Sequence, residues 1–168
     1  MAYRFEPLTK QHDRAGFRCA SAPLNVYLQQ LARKDAERWV AAAFVMVEEA
    51  APTAIIGYYT LSAFTVDVAE LPEAMQKKLP QYPRLPATLL GRLARDERFP
   101  GTGPLLLMDA LNRAHDKAAE IASLAVVADA KDEHALKFYR KFGFAQLGSD
   151  PNRVFLPMGT IEQLVKTS

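Results

Sequence analysis

The stretch "IASLAVVAD", Ile121 to Asp129, limits the fold more than any other part of the chain. A continuous apolar run of this kind reads as a strand buried on both faces, which places it inside a sheet with helices packed against it. Both flanks agree. From Pro104 to about Glu120, apolar residues at Leu107, Leu111, Ala114 and Ala118 keep close to helical spacing. On the other side, "DEHALKFYRKFGF" sets Ala135, Phe138, Tyr139 and Phe142 on one side of a helix, with Gly143 as a left-handed stop. "RVFLPM" follows as a last strand.

The first half of the chain has a different order. "YRFEPL", Tyr3 to Leu8, alternates like a first strand. Lys10 to about Arg38 is rich in Ala, Leu and Gln, and Pro23 is expected to split it into two helices. "WVAAAFVMVEE" and "TAIIGYYTLSAFTV", separated by Pro52, read as two strands of a hairpin. Asp67 to Pro86, with four prolines, reads as a short helix and a loop, and "TLLGRLARD" as a fourth strand. The expected fold is therefore α/β (α+β): one mixed, mostly antiparallel central sheet flanked by helices, in a single domain spanning residues 1–168.

Composition narrows the function. The chain has 168 residues, 49% of them hydrophobic and 24% charged, with a net charge of +2. Such a mild balance does not by itself indicate a nucleic-acid binder. No apolar run reaches the roughly 20 residues a membrane span requires, and the first residues lack a signal-peptide pattern, so a cytoplasmic protein with no membrane contact is expected. Cys19 is the sole cysteine, and His12, His115 and His134 are scattered without metal-ligand spacing, so no metal is expected. Each histidine reads as a solvated or singly hydrogen-bonded side chain, and Cys19 as a free thiol without a catalytic role.

One segment points to chemistry. "RFPGTGPLLLMDAL", Arg98 to Leu111, sets a glycine loop at the start of a helix, where free N–H groups and the helix dipole favour an anion. An ordinary helix start, with Gly103 capping and Pro104 in the first turn, fits the same residues. The loop matches neither the Walker motif nor the dinucleotide fingerprint. Tyr139 has two readings as well, a reacting phenol or an aromatic on the inner face of an amphipathic helix. Trp39 and the pair Tyr58-Tyr59 read as strand-edge aromatics, packing residues before substrate contacts.

Taken together, "TLLGRLARDERFPGTG", its spacing to "ALKFYRKFGF" and the strand order resemble the GNAT superfamily of acyl-CoA-dependent N-acetyltransferases over nearly the whole chain. Within that superfamily, "LLGRLARD", "LLLMDAL" and "FRCASAPLNVYL" look most like the acetyltransferase toxins of bacterial type II toxin–antitoxin systems. The resemblance implies transfer of acetyl from acetyl-CoA to the α-amine of aminoacyl-tRNA, a block in translation, and a ribbon-helix-helix antitoxin as partner. A homodimer is compatible with it. It also implies roles for residues. Backbone groups of Leu93, Ala94 and Arg95 would pair with the pantetheine arm. The pyrophosphate would lie over Gly101, Thr102 and Gly103, with Leu105 and Leu106 as further donors and Arg98 adding charge. Tyr139 would protonate the departing thiolate. Asp132 would cap its helix beside the cofactor, and Ala135 and Phe138 would line the groove or fill core.

Arg92, Arg95, Lys77 and Lys78 are the candidates for RNA contact, with solvated surface charge as the alternative for each. The glycine loop is shorter than in the toxins it resembles, and Pro104 removes one N–H donor. Weakened or re-registered acetyl-CoA binding is expected, not its loss. Two other functions fit the same residues: acetylation of a small amine or protein N-terminus, and a catalytically impaired GNAT fold kept as an antitoxin-binding partner.

Overall fold

The computed structural model describes residues 2–167. Their contacts gather in two compact units, one formed by residues up to Ser62 with Gly91–Ala110, the other by Ala63–Leu90 with Leu111 onward.

The first unit opens with β1 (Tyr3–Pro7), followed by a turn-rich segment and then α1 (Ala22–Val26). One π-helical turn, Tyr27–Leu31, joins α1 to α2 (Ala32–Glu37). The expected two helices split by Pro23 are not what forms. The segment before Ser21 is not helical, and Pro23 lies in the first turn of a single helical run. The reason is positional: proline breaks a helix interior but fits the first turn, where its missing N–H has no partner to lose. Strands β2 (Ala42–Glu48) and β3 (Gly57–Asp67) form the expected hairpin. β1 pairs antiparallel with β2, Phe5 opposite Met46, and β2 with β3, Val45 opposite Tyr58. Alternation then puts Val45, Val47 and Tyr58 on one face, where they pack with Phe17, Tyr27, Leu28, Ala32 and Ala94.

The second unit holds the short helix α3 (Glu73–Gln76), the start of β4 (Arg84–Arg95) and the end of α4 (Gly103–Ala118), then β5 (Ala125–Asp129). It continues with α5 (Glu133–Lys141), β6 (Ala145–Gln146), β7 (Arg153–Pro157) and α6 (Met158–Thr167). Ala125 to Ala128 are buried, as the apolar run requires. The strand is shorter than that run, however: Ile121 is 81% exposed and β5 begins only at Ala125. The Ser123 hydroxyl, 2.9 Å from that of Thr88, leads the chain into it. Val66, Leu71, Leu85, Val127, Leu147 and Phe155 form this unit's core.

Among the described residues, seven strands run in the order β1-β2-β3-β4-β5-β7-β6. Four of the registered pairings are antiparallel, and β4 with β5 is parallel. That parallel register covers only Thr88–Leu90 against Val126–Ala128.

Asp96 ends β4. Its carboxylate is fully buried and accepts from the Arg18 N–H at 3.0 Å, the Arg98 N–H at 2.9 Å, and the Arg98 guanidinium through Nε at 2.9 Å and Nη2 at 3.0 Å. Its own N–H donates to Ile56 O at 2.7 Å. Burial pushes this carboxyl's pKa up, but the Arg98 guanidinium and the two N–H groups outweigh it and hold it below its ordinary value. A depressed carboxyl stabilises the fold above its unfolded pKa and loses that contribution as pH falls through the folded value. Asp96→Ala should therefore lower the unfolding free energy at neutral pH by about 2–4 kcal/mol, since two part-buried N–H groups and the Arg98 guanidinium lose their acceptor. Denaturant titrations should show the gap between variant and parent narrowing below about pH 4.

Candidate active site

The clasp on Asp96 delivers the chain into the glycine loop. Gly101 takes φ 85°, and a side chain added there would meet nothing within 4 Å, so the backbone lies open on that side. Thr102 is buried and acts as the N-cap of α4: its C=O accepts from the Leu106 N–H at 3.1 Å, while its hydroxyl donates back to Phe99 O at 2.8 Å. The first N–H groups of a helix have no partner inside it. Gly103 and Leu105 therefore present theirs outward, and Gly101 and Thr102 make no backbone bond through theirs among the described residues. The loop is an ordinary helix start, except that Thr102 takes the capping place expected of Gly103, because Gly103 is already the first residue of α4.

Two expected donors already have partners. The Leu106 N–H is taken by Thr102, and Arg98 is committed to Asp96 through two of its nitrogens, with a longer contact to Gly16 O at 3.4 Å. Arg98 is the counter-ion of a buried carboxylate. Leu93 is half-buried and Ala94 buried, while Arg95 is exposed. All three follow the last β4 residue registered against β5, Leu90.

In the second unit, Asp132 caps α5 as expected, its Oδ1 accepting from the Ala135 N–H at 2.8 Å. The buried residues of this helix are Leu136 and Tyr139, with Ala135, Phe138 and Phe142 half-buried. Leu136 was not on the expected face, because a helix this short can be drawn with its stripe one residue to either side. Gly143 does stop the helix, at φ 97°. The Tyr139 ring packs against Phe138 and Phe144, at centroid distances of 5.5 and 5.2 Å.

The hydroxyl of Tyr139 has no hydrogen-bond partner among the described residues. The other buried tyrosines do: Tyr27 donates to Asp35 Oδ2 at 2.8 Å, Tyr58 to Leu24 O at 2.7 Å, and Tyr59 to Asp109. Among the described residues, Thr60 Oγ1 is the fully enclosed side-chain atom left without a partner. The Tyr139 oxygen, likewise without a partner, belongs to a residue only 6% exposed. Burial, and then the Asp129 carboxylate, push its pKa well up, so the phenol keeps its proton through the neutral and alkaline range. A buried phenol normally finds a partner. This one holds a proton and spends it on no structural bond.

The cationic candidates are placed unevenly. Lys77 and Lys78 are exposed at the end of α3. Arg92 is not a free surface charge: its guanidinium carbon lies 3.6 Å from the centre of the Tyr27 ring. The aromatic pair Tyr58-Tyr59 is fully buried, whereas Trp39 lies outside any strand and is 95% exposed. His12 is buried and doubly bonded, to the Thr9 N–H at 3.0 Å and Glu6 Oε2 at 3.0 Å, a departure from the solvated or singly hydrogen-bonded side chain expected. Cys19 is buried, its thiol donating to Ser21 O. Among the described residues no cluster of three or more His, Cys, Asp or Glu could hold a metal, and no helix is long and apolar enough to cross a membrane.

No family model matches the chain. A probable toxin, TacT, from Sinorhizobium fredii is 31% identical over 170 residues, covering 95% of this chain and 93% of the relative. The chain belongs to the GNAT acetyltransferase toxins of toxin–antitoxin systems. A second member of these toxins, a tRNA-acetylating toxin of Mycobacterium tuberculosis, is 32% identical over 113 residues, or 66% of this chain and 67% of the relative. Solved structures agree. A tyrosine-to-phenylalanine mutant of KacT superposes with a TM-score of 0.91 at 28% identity, covering 98% of this chain and 99% of that one. AtaT complexed with acetyl-methionyl-tRNA superposes with a TM-score of 0.90 at 29% identity, covering 97% and 99%. AtaTR bound with acetyl-CoA gives 0.84 at 28% identity, covering 96% and 97%.

The unequal bonding of the tyrosines is measurable. Tyr58→Phe should cost about 1 kcal/mol of unfolding free energy, the value of one intramolecular bond, while Tyr139→Phe should change it by less than about 0.5 kcal/mol. The folded-state pKa of Tyr27 is pushed up to about 12, first by burial and then by its bond to Asp35, and burial raises Tyr58 and Tyr139 as well. A group with a raised folded pKa stabilises fully below its unfolded value and loses that contribution above it. Thermal midpoints should therefore begin to fall above about pH 10.

Proposed function

We propose that this chain transfers the acetyl group of acetyl-CoA to the α-amine of aminoacyl-tRNA, and that the product blocks translation. The observation that carries this reading is the Tyr139 hydroxyl, protonated, buried and without a hydrogen-bond partner among the described residues, in a chain of the acetyltransferase-toxin family. Acetyl-CoA supplies an activated acyl group on a thiol leaving group. The acceptor amine attacks the thioester carbonyl, the C–S bond breaks, and Tyr139 gives its proton to the departing sulfur. A phenol held neutral at working pH suits that task, since thiolate and phenolate are of comparable basicity. The amine's surplus proton leaves to water or a weak base.

The remaining residues bind and orient. Backbone groups of Leu93, Ala94 and Arg95, past the short parallel register of β4, take the pantetheine arm. The N–H groups of Gly101, Thr102, Gly103 and Leu105 take the pyrophosphate at the start of α4. Arg98 holds this loop in shape through Asp96. Asp132 fixes the start of α5, and Ala135 and Phe138 line the cofactor. Arg92, Lys77 and Lys78 contribute positive potential toward RNA. The 168 residues act as one GNAT-type domain in the cytoplasm, where charged tRNA is found. A ribbon-helix-helix antitoxin neutralises it, and a homodimer is the assembly proposed.

The test is an acetylation assay on total charged tRNA, run beside a panel of polyamines and peptides. Labelled acetyl should appear on aminoacyl-tRNA and not on the panel; the reverse result overturns the assignment. Tyr139→Phe should lower kcat by about 10²–10⁴-fold, abolish growth inhibition, and leave calorimetric affinity for acetyl-CoA within about twofold. No acetyl-CoA binding at millimolar ligand would sink the enzymatic reading.

A further inference from the structure

Trp39 is the chain's one tryptophan, and its position is strained. Helix α2 ends in a Schellman motif, with the Trp39 N–H donating to Ala36 O at 3.2 Å and the Val40 N–H to Asp35 O at 2.9 Å. The residue at the turn of this motif must adopt a left-handed backbone, which glycine does at no steric cost. Trp39 holds φ 63° there, as the non-glycine with positive φ among the described residues. Its side chain is 95% exposed. A large apolar ring thus occupies a position where it strains the backbone and gains nothing from burial. Folding stability gives no reason for tryptophan here; a contact made in solution does.

The surroundings indicate what the contact is. Arg33 pairs with Glu37 at 3.1 Å and Asp35 accepts from Tyr27, while Lys34 and Arg38 are exposed and form no ion pair among the described residues. Two cavities of about 510 Å³ each, sharing Arg14 and Gln29, lie on this unit. Around them Arg14, Arg18, Arg33 and Lys34 outnumber the carboxylates of Asp13 and Glu37. A flat indole in solvent beside uncompensated cations is the pairing that unpaired nucleotides require: the base stacks and the phosphates meet the cations. Val40 and Leu31 are also exposed near this helix end, but Lys34, Glu37 and Arg38 stand among them, and the excess of cations over carboxylates favours a polyanion over an apolar protein face.

We infer that Trp39 stacks on an unpaired base at the single-stranded end of the RNA acceptor, with Lys34 and Arg38 on the adjoining phosphates. The inference rests on the aminoacyl-tRNA reading above and makes Trp39 a positioning residue for that substrate.

Because the chain has one tryptophan, that residue reports on itself. Uncharged tRNA should quench its emission, and the same tRNA trimmed of its unpaired 3′ nucleotides should not. Trp39→Gly relieves the backbone strain, so its thermal midpoint should equal or exceed the parent's while tRNA affinity falls about tenfold. Trp39→Phe should restore most of that affinity. With charged tRNA, Trp39→Gly should raise KM about tenfold and leave kcat. Unchanged emission at a tRNA concentration shown to saturate by an independent binding measurement overturns the inference, as does parental affinity in Trp39→Gly. Quenching by an antitoxin but not by tRNA also overturns it, in favour of a protein contact. Failure of the parent protein to acetylate any charged tRNA is read in a separate assay and counts against the proposed function, not against the fluorescence result.

Discussion

A buried carboxylate cannot stay charged unless its surroundings supply donors, and Asp96 collects four from three sources. That requirement fixes much of the first unit. It draws the Arg18 backbone to the end of β4, bends Glu97 and Arg98 out of the strand direction, and occupies the Arg98 side chain. The glycine loop begins only after these bonds are made, so its geometry is inherited from an electrostatic clasp. A neutral side chain here would leave the loop to find its own shape, and the N–H groups of Gly101 to Leu105 would point wherever entropy allowed.

The tyrosines make a similar argument from hydrogen bonding. Tyr27, Tyr58, Tyr59 and Tyr139 all have buried rings, so burial does not separate structural from reacting phenols. Satisfaction of the hydroxyl does. Three are tied to a carboxylate or carbonyl, and the fourth is left open despite the cost of an unmade bond. Polar bookkeeping of this sort is absent from any sequence, because partners such as Leu24 O and Asp109 lie far away along the chain.

What the sequence made legible follows the same division. The strands were readable where apolar alternation or continuous burial left one solution, as at β2, β3 and Ala125–Ala128. The glycine loop, the Asp132 cap and the Gly143 stop were readable because each depends on backbone chemistry within a few residues. Side-chain commitments were not. Arg98 turns back onto Asp96 only two residues away, and Arg92, read as surface charge, lies over the distant Tyr27 ring. Pro23 was misplaced because its residue type signals a helix boundary without saying which side of it the helix lies. β6 is two residues long, too short to carry any period, and α6 has only Ile161 fully buried to mark its inner face.

Pro104 first stood out as a lost donor. Set between the N-cap Thr102 and the rest of α4, it also fixes one φ angle in every state the chain visits, and so narrows the unfolded ensemble. The Thr102 hydroxyl, tied back to Phe99 O, does the same for the folded loop. A ligand arriving at this site meets a cradle that is already ordered, so it surrenders less conformational entropy on binding than a longer, looser loop would demand. Pro104 therefore exchanges one possible donor for rigidity, which favours a preformed template over one moulded by its guest.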